Sequence, residues 1–301
     1  MKKSLIRRVS VLFMAAVITV MSLVPVFAVE EGEKRAVIGA DLSEDKVDKI
    51  YQDFGIGKGD VKEITVTNKN EREYLEGLVS EDKIGNVALS CVYIETMKPG
   101  YGLDIKINNI KWCTEAMYKS ALLTAGITDA KVIISAPHPV TGTAALTGIY
   151  LAYEDITGES LDRNAKEVAV EELVTTGELG DLIGSEQAVE IINSLKEILD
   201  ETAKMSDEDV KSEIKRIAEE YNVELTDGQV DRILKLVRSL EGLDVNELQD
   251  RLKGYADTMK TVKSVGSFFE QLGEKIVNFF NKVGDFFSKL FGGKKTEGSK
   301  T

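Results

Sequence analysis

The chain has 301 residues, with 51 Asp and Glu against 38 Lys and Arg, one histidine and two cysteines, for a formal net charge of -13 at pH 7. That length can bury one sizeable core or two smaller ones, and an acidic chain without Arg/Lys clusters interleaved with aromatics argues against nucleic-acid binding. With no CxxC pair and no Cys/His cluster there is no zinc pattern, and no cofactor is expected.

Residues 1–28 have the pattern of a secretory signal peptide. Lys2, Lys3, Arg7 and Arg8 precede an apolar run from Val9 to Phe27, and Val26-Phe27-Ala28 presents small residues at the two positions a signal peptidase reads. Cleavage after Ala28 is expected, leaving 273 residues of net charge -17 as a secreted or extracellular protein. An uncleaved anchor is the alternative, because the run is nearly long enough to span a bilayer; Pro25 and the Ala28 site disfavour it. The remaining charge is uneven, with +3 on residues 262–301 and -20 on residues 29–261.

A first helix is predicted from Ser43 as N-cap, with Glu44 and Asp45 in its first turn, Val47, Ile50, Tyr51 and Phe54 on one face, and Gly55 as its stop. A β segment follows over Val61–Thr67, then a short helix capped by Asn68 or Asn70 and running through Leu78. Two extended runs, Asn86–Glu95 and Tyr101–Trp112, flank Lys98-Pro99-Gly100 and imply a hairpin. Thr114 caps a helix ending at Gly126, and Lys131–Ser135 is a further strand. The order β-α-β-β-α-β predicts a ferredoxin-like α+β domain over residues 29–140, a four-stranded antiparallel sheet with two helices on one face. Because Asn86–Glu95 is apolar on both sides, the other face needs a cover, and the downstream helices are expected to supply it. The hairpin register would hold Cys91 and Cys113 roughly 20 Å apart, against a limit of about 7 Å for a disulfide. Buried free thiols are therefore expected, with a bridge still open if the chain folds back near Thr114.

From residue 141 to 260 only helices are predicted, packed as a helical domain against the sheet. Residues 144–156 are apolar nearly all round, as in a buried helix, with Ala145, Gly148 and Ala152 giving a side of close approach. Helices follow near 162–176 (ending at Gly177), 185–203, 206–221, 226–241 and 244–260, two of them opening with Ser206/Asp209 and Thr226/Gln229 capping boxes.

Residues 261–301 are predicted to form an amphipathic helix and a basic tail. Val262, Phe269, Ile276, Val283 and Leu290 recur every seven residues, with Val265, Leu272, Phe279 and Phe286 between them and Phe268, Phe280, Phe287 and Phe291 on one flank. Charges every few residues exclude a transmembrane span. A membrane-surface helix, a self-associating coiled coil and docking on the chain's own domain all fit. Phe crowding with Gly266, Gly273 and Gly284 disfavours the coiled coil, and Phe with excess Lys favours an anionic membrane surface touched by Phe268, Phe269, Phe279, Phe280, Phe286, Phe287 and Phe291.

Several segments carry a family resemblance: Gly39-Ala40-Asp41-Leu42-Ser43, Thr65-Val66-Thr67-Asn68, Ile84-Gly85-Asn86, Thr124 to Val132, Ser135-Ala136-Pro137, and Val140 to Gly148 with Glu154 and Thr157-Gly158. Over roughly residues 38–255 the chain resembles the DUF1002 family. That resemblance implies an exported protein, as in Gram-positive bacteria, and a shared fold; it supplies no catalytic residue.

His138, between Pro137 and Pro139, is a candidate base or anion contact, together with Thr141, Gly142 and Thr143 at the start of the next helix. The plainer reading is a proline-stiffened connection and a tightly packed turn. The acid pairs Asp53/Asp60, Glu171/Glu172 and Glu219/Glu220 are read as solvated helix faces before glycosidase carboxylates, Asp207-Glu208-Asp209 lacks an EF-hand pattern, and Trp112, Tyr93 and Tyr101 are read as core before groove. The expectation is a non-enzymatic, cell-envelope-associated binding or structural module; the alternative is a hydrolase acting on an envelope polymer.

Overall fold

The structure, a computed structural model, describes residues 31–77 and 84–261; the predicted signal peptide and the predicted Phe-rich helix lie outside them. It is a mixed α+β fold with five strands, β1 Lys34–Gly39, β2 Lys62–Val66, β3 Cys91–Thr96, β4 Leu103–Ile110 and β5 Ala130–Val140. The first three helices are α1 Glu44–Phe54, α2 Asn68–Leu75 and α3 Glu115–Ala125. Then come α4 Ala145–Thr157, α5 Arg163–Ile183, α6 Ser185–Glu197, α7 Leu199–Thr202, α8 Asp207–Glu220, α9 Asp227–Glu241 and α10 Val245–Thr261.

The sheet order is β2-β1-β3-β5-β4. β1 runs parallel to β2 and β4 parallel to β5, each pair joined through a helix, while β3 lies antiparallel to both β1 and β5. This replaces the four-stranded antiparallel, ferredoxin-like sheet expected above. β1 is a strand that the sequence reading did not include. The expected hairpin is absent because β5 sits between its two arms: Asp129, at the head of β5, accepts Met97 N on its carbonyl at 3.1 Å and Gly102 N on its carboxylate at 2.8 Å. The Lys98-Pro99-Gly100 connection therefore bridges two strand spacings, about 10 Å, which six residues cover easily. The patterns agree with this order. Val132-Ile133-Ile134 is apolar on both faces, as a central strand requires, whereas Leu103-Asp104-Ile105-Lys106-Ile107 alternates like a half-solvated edge.

One face of the sheet carries Val37, Val92, Ile94, Ile105, Val132 and Ile134, and α3, α4 and α5 build the main core on it. On the other face Ala36, Ile38, Cys91 and Tyr93 meet Ile50, Tyr51 and Phe54 of α1. The second face is thus covered by the first helix and not by the downstream ones, since α1 follows β1 directly in a short β-α-β unit. The strand predicted over Asn86–Glu95 begins only at Cys91; before it, Ala88 passes so close to Gly39 that a Cβ there would lie 2.2 Å from the Ala88 carbonyl oxygen. Cys91 and Cys113 are buried free thiols as expected, although the hairpin that argued for it does not exist. Burial pushes the Cys91 thiol up to about 12, so it is not nucleophilic at neutral pH.

Local signals placed the helices well. Ser43, Thr114, Ser206 and Thr226 are N-caps, the last with Gln229 in a reciprocal capping box. The cap of α2 is Thr67, with Asn70 returning the bond, in place of Asn68 or Asn70. The helix expected to stop at Gly177 continues to Ile183, because that glycine serves contact: a Cβ would come within 2.5 Å of the Trp112 ring. The predicted 185–203 helix breaks at Ile198 into α6 and α7. A second core, formed by α6 to α9 with Val168, Leu179 and Leu248, completes the helical part.

Candidate functional site

The residues proposed around His138 are neighbours in the chain but not one exposed site. β5 continues through Pro137-His138-Pro139 to Val140, beyond the end of β3. Ala130 N and the Val140 carbonyl both bond toward β4, so odd-numbered residues aim at the side β3 has vacated, where proline's missing N–H costs nothing. His138 is exposed there, and no described carboxylate hydrogen-bonds to its ring. Gly142 and Thr143 are buried. The turn is filled: Tyr118 Oη donates to the Gly142 carbonyl at 2.6 Å, Cys113 N to the Thr141 carbonyl at 3.1 Å, and Ala145 N back to Gly142 at 3.0 Å. At φ +98° a Gly142 Cβ would stand 2.5 Å from Tyr118 Oη and from Ile110, so packing requires this glycine.

The acid pairs also separate. Asp53 accepts from Ser135 Oγ at 2.5 Å and Asp60 from Gly57 N at 2.7 Å, in different places. Tyr93 packs on Phe54, while Trp112 lies on α5 with its indole N–H 2.9 Å from Asp181. Glu171 pairs with Lys235 at the surface, but its neighbour Glu172 is buried, which corrects the reading of both as solvated.

Glu172 is the centre of a buried cluster of hydroxyl, ammonium and carboxylate side chains. Ser120 and Thr124 on α3 each donate to its carboxylate at 2.5 Å, and Lys196 on α6 donates to it at 2.9 Å and to Ser120 Oγ at 3.1 Å. Serine, lysine and carboxylate within contact could suggest nucleophilic catalysis. Yet Ser120 is 4% exposed, Lys196 0% and Glu172 1%. Buried together, with the hydroxyl proton donated to Glu172, the trio forms an ionic clamp joining α3, α5 and α6.

Three of the segments that carried the family resemblance meet at one end of the sheet. Ala40 N bonds to the Val66 carbonyl at 2.8 Å, Asp41 accepts Ala88 N at 2.7 Å, and Arg72 and Asn68 both reach the Gly85 carbonyl, at 3.0 and 3.4 Å. Glu71 lies beneath them at 1% exposure, with Asn68 donating to Oε2 and no partner on Oε1. Burial, reinforced by Asp41, raises its pKa from 4.5 to about 7, against the lowering effects of Asn68 and Arg72. A carboxyl favoured as the neutral acid in the fold contributes stability that is complete below its unfolded pKa and lost as pH rises through about 7. The span corresponds to about 3 kcal/mol at roughly 1.4 kcal/mol per unit. Glu71→Gln should accordingly match the parent near pH 5 and exceed it above pH 8 in urea denaturation. A difference between the two that stays constant over that range would refute the assignment.

Glu154, another of those positions, closes the α4–α5 connection, accepting Leu161 N at 2.9 Å and Lys166 Nζ at 2.6 Å, with the ammonium 5.3 Å from the Tyr74 ring centre. Its neighbour Asp155 accepts from Arg35 at 2.6 Å and Lys62 at 2.5 Å, tying α4 to β1 and β2; these contacts hold its carboxyl below the usual range. Among the described residues no cluster of three or more His, Cys, Asp or Glu could hold a metal, and no helix is long and apolar enough to cross a membrane.

A fold held together by these segments places the chain in a defined group: residues 38–255 match the profile of the DUF1002 family, described as proteins of unknown function, and the chain belongs to that family. The uncharacterized protein YpuA of Bacillus subtilis (strain 168) is 38% identical to it over 266 residues, covering 86% of this chain and 88% of YpuA. No solved structure matches it.

Proposed function

We propose that the protein is exported and acts at the outer face of the cell membrane as a non-enzymatic binding or structural module, tethered through residues 262–291. The observation that carries this reading is the Phe stripe of that segment, repeated at heptad spacing beside lysines, on a chain whose remainder is acidic. Burying even four phenylalanines is worth about 6–12 kcal/mol at roughly 1.5–3 kcal/mol each, so the stripe needs a partner surface. Anionic lipid attracts the lysines, at about 1 kcal/mol each near the surface, and repels the acidic body. The sealed Ser120–Lys196–Glu172 cluster and the unsupported His138 ring favour binding over the hydrolase alternative.

Co-sedimentation with phosphatidylglycerol vesicles tests the tether. The mature chain starting at Val29 should pellet and the same chain ending at Thr261 should stay in solution, with binding weakened by salt. Equal recovery of both forms would assign the stripe to self-association or to docking on its own domain.

A further inference from the structure

A cavity of about 500 Å³ opens where α3 ends at Gly126, where the chain turns into α5 over Ser160–Asp162, and where α10 begins at Asp244. Arg251 lies in its wall. The guanidinium side chain is 17% exposed, its nearest carboxylate is Glu247 at 3.6 Å, and its Nε is buried with no hydrogen-bond partner. Burial lowers its pKa. The side chain comes so close to the end of α3 that a Cβ on Gly126 would stand 2.8 Å from its terminal nitrogen. An arginine has five donors in a planar fork suited to a carboxylate, and this one is under-used.

The rim has the opposite sign. Asp162 and Asp244 each give one oxygen to their own helix, to Ala165 N at 2.7 Å and Glu247 N at 3.0 Å, and Glu247 stands beside them. A simple anion would meet three carboxylates and a simple cation would meet Arg251, so neither suits the whole wall. A ligand with a carboxylate and an ammonium one carbon apart satisfies both. A second cavity of about 580 Å³ shares Asn164 and Gly242 with the first and is lined by Glu73, Glu76, Glu167 and Glu171. Its one arginine, Arg238, is already committed to Asp207, Glu241 and two carbonyls.

We propose that the first cavity is a binding site for an α-amino acid, its carboxylate on Arg251 and its ammonium among Asp162, Asp244 and Glu247, with a basic side chain extending over Asn164 and Gly242 into the acidic second cavity. Both cavities fall within the roughly 300–1,000 Å³ range of small-molecule sites. The site is independent of the membrane tether, so vesicle binding and amino-acid binding can fail separately.

Calorimetric titration of the full mature chain tests it with L-lysine, L-glutamate, lysine amide and Nα-acetyl-lysine. L-Lysine should bind, and the other three should bind about tenfold or more weakly, because each loses one charge match. Arg251→Gln should weaken lysine by a similar factor. Asp244→Asn, which keeps a good helix cap, should weaken lysine less and leave the melting temperature unchanged, which separates a binding loss from a folding loss. No heat from lysine up to ~50 mM, or lysine amide binding as well as lysine, would overturn the proposal.

Discussion

Lys196→Met is expected to cost about 3–5 kcal/mol of folding stability, the range seen when one member of a buried ion pair is removed. Methionine nearly matches the lysine in length, so the loss will not come from a cavity. It will come from Glu172, which would keep its Ser120 and Thr124 donors but lose the cation that offsets its removal from water. Lys196 also donates to the Ser120 carbonyl at 3.1 Å, a bond methionine cannot make. Desolvation is the leading effect on this ammonium too, pulling its pKa down against the raising influence of Glu172. The pair is therefore held because each charge needs the other. The double variant Glu172→Gln/Lys196→Met should recover a substantial part of the loss, since a neutral carboxamide no longer needs a counter-charge. Urea midpoints of parent, single and double variants decide it; a single-variant loss below about 1 kcal/mol would mean that water reaches Glu172.

Gly148→Leu should destabilise by about 1–3 kcal/mol or more through overpacking. The residue is buried in α4, with Val92 and Val37 of the central strands opposite: a Cβ alone would come within 3.2 Å of a Val92 methyl and 3.4 Å of a Val37 methyl. Leucine adds three more carbons in the same direction, and close-packed interiors yield little. Replacing a helical glycine gains up to about 1 kcal/mol of helix propensity, too little to reverse the sign. Gly148→Ala is the internal control. Its single methyl is accommodated by a shift of a few tenths of an ångström, so packing and propensity should nearly cancel. Thermal denaturation showing leucine tolerated as well as alanine would mean that α4 can move off the sheet.

The helices were legible because their signals are local. Thr114, Ser206 and Thr226 accept with their hydroxyls from N–H groups three residues on, Ser43 opens its helix in extended backbone without such a side-chain bond, and Gly55 and Gly126 adopt the left-handed backbone that ends a helix. Such effects need only neighbours within a turn or two. Gly177 misled because a glycine required by a distant Trp112 looks the same in sequence as one that stops a helix. Likewise nothing in Glu171-Glu172 shows which carboxylate points to Lys235 and the surface and which to Lys196 and the core.

The candidate site was less legible. His138, Thr141, Gly142 and Thr143 stood out by composition, yet the chain uses them for a strand end and a filled turn. No local pattern marks Arg251, because its cavity is assembled from α3, the α4–α5 turn and the start of α10, segments lying more than 100 residues apart at the extremes.

Taken by itself, the sequence determined where most helices start and how charge divides between an acidic body and a basic end, since propensity, capping and composition act over a few residues. Tertiary structure alone decided the strand order, the cover of the second sheet face by α1, the burial of Glu172 with Lys196 and the cavity at Arg251. The physical reason is that backbone N–H and C=O groups bond equally well to any strand. The choice of partner then falls to which arrangement buries Val132-Ile133-Ile134 on both faces and leaves the alternating Leu103–Ile107 at an edge.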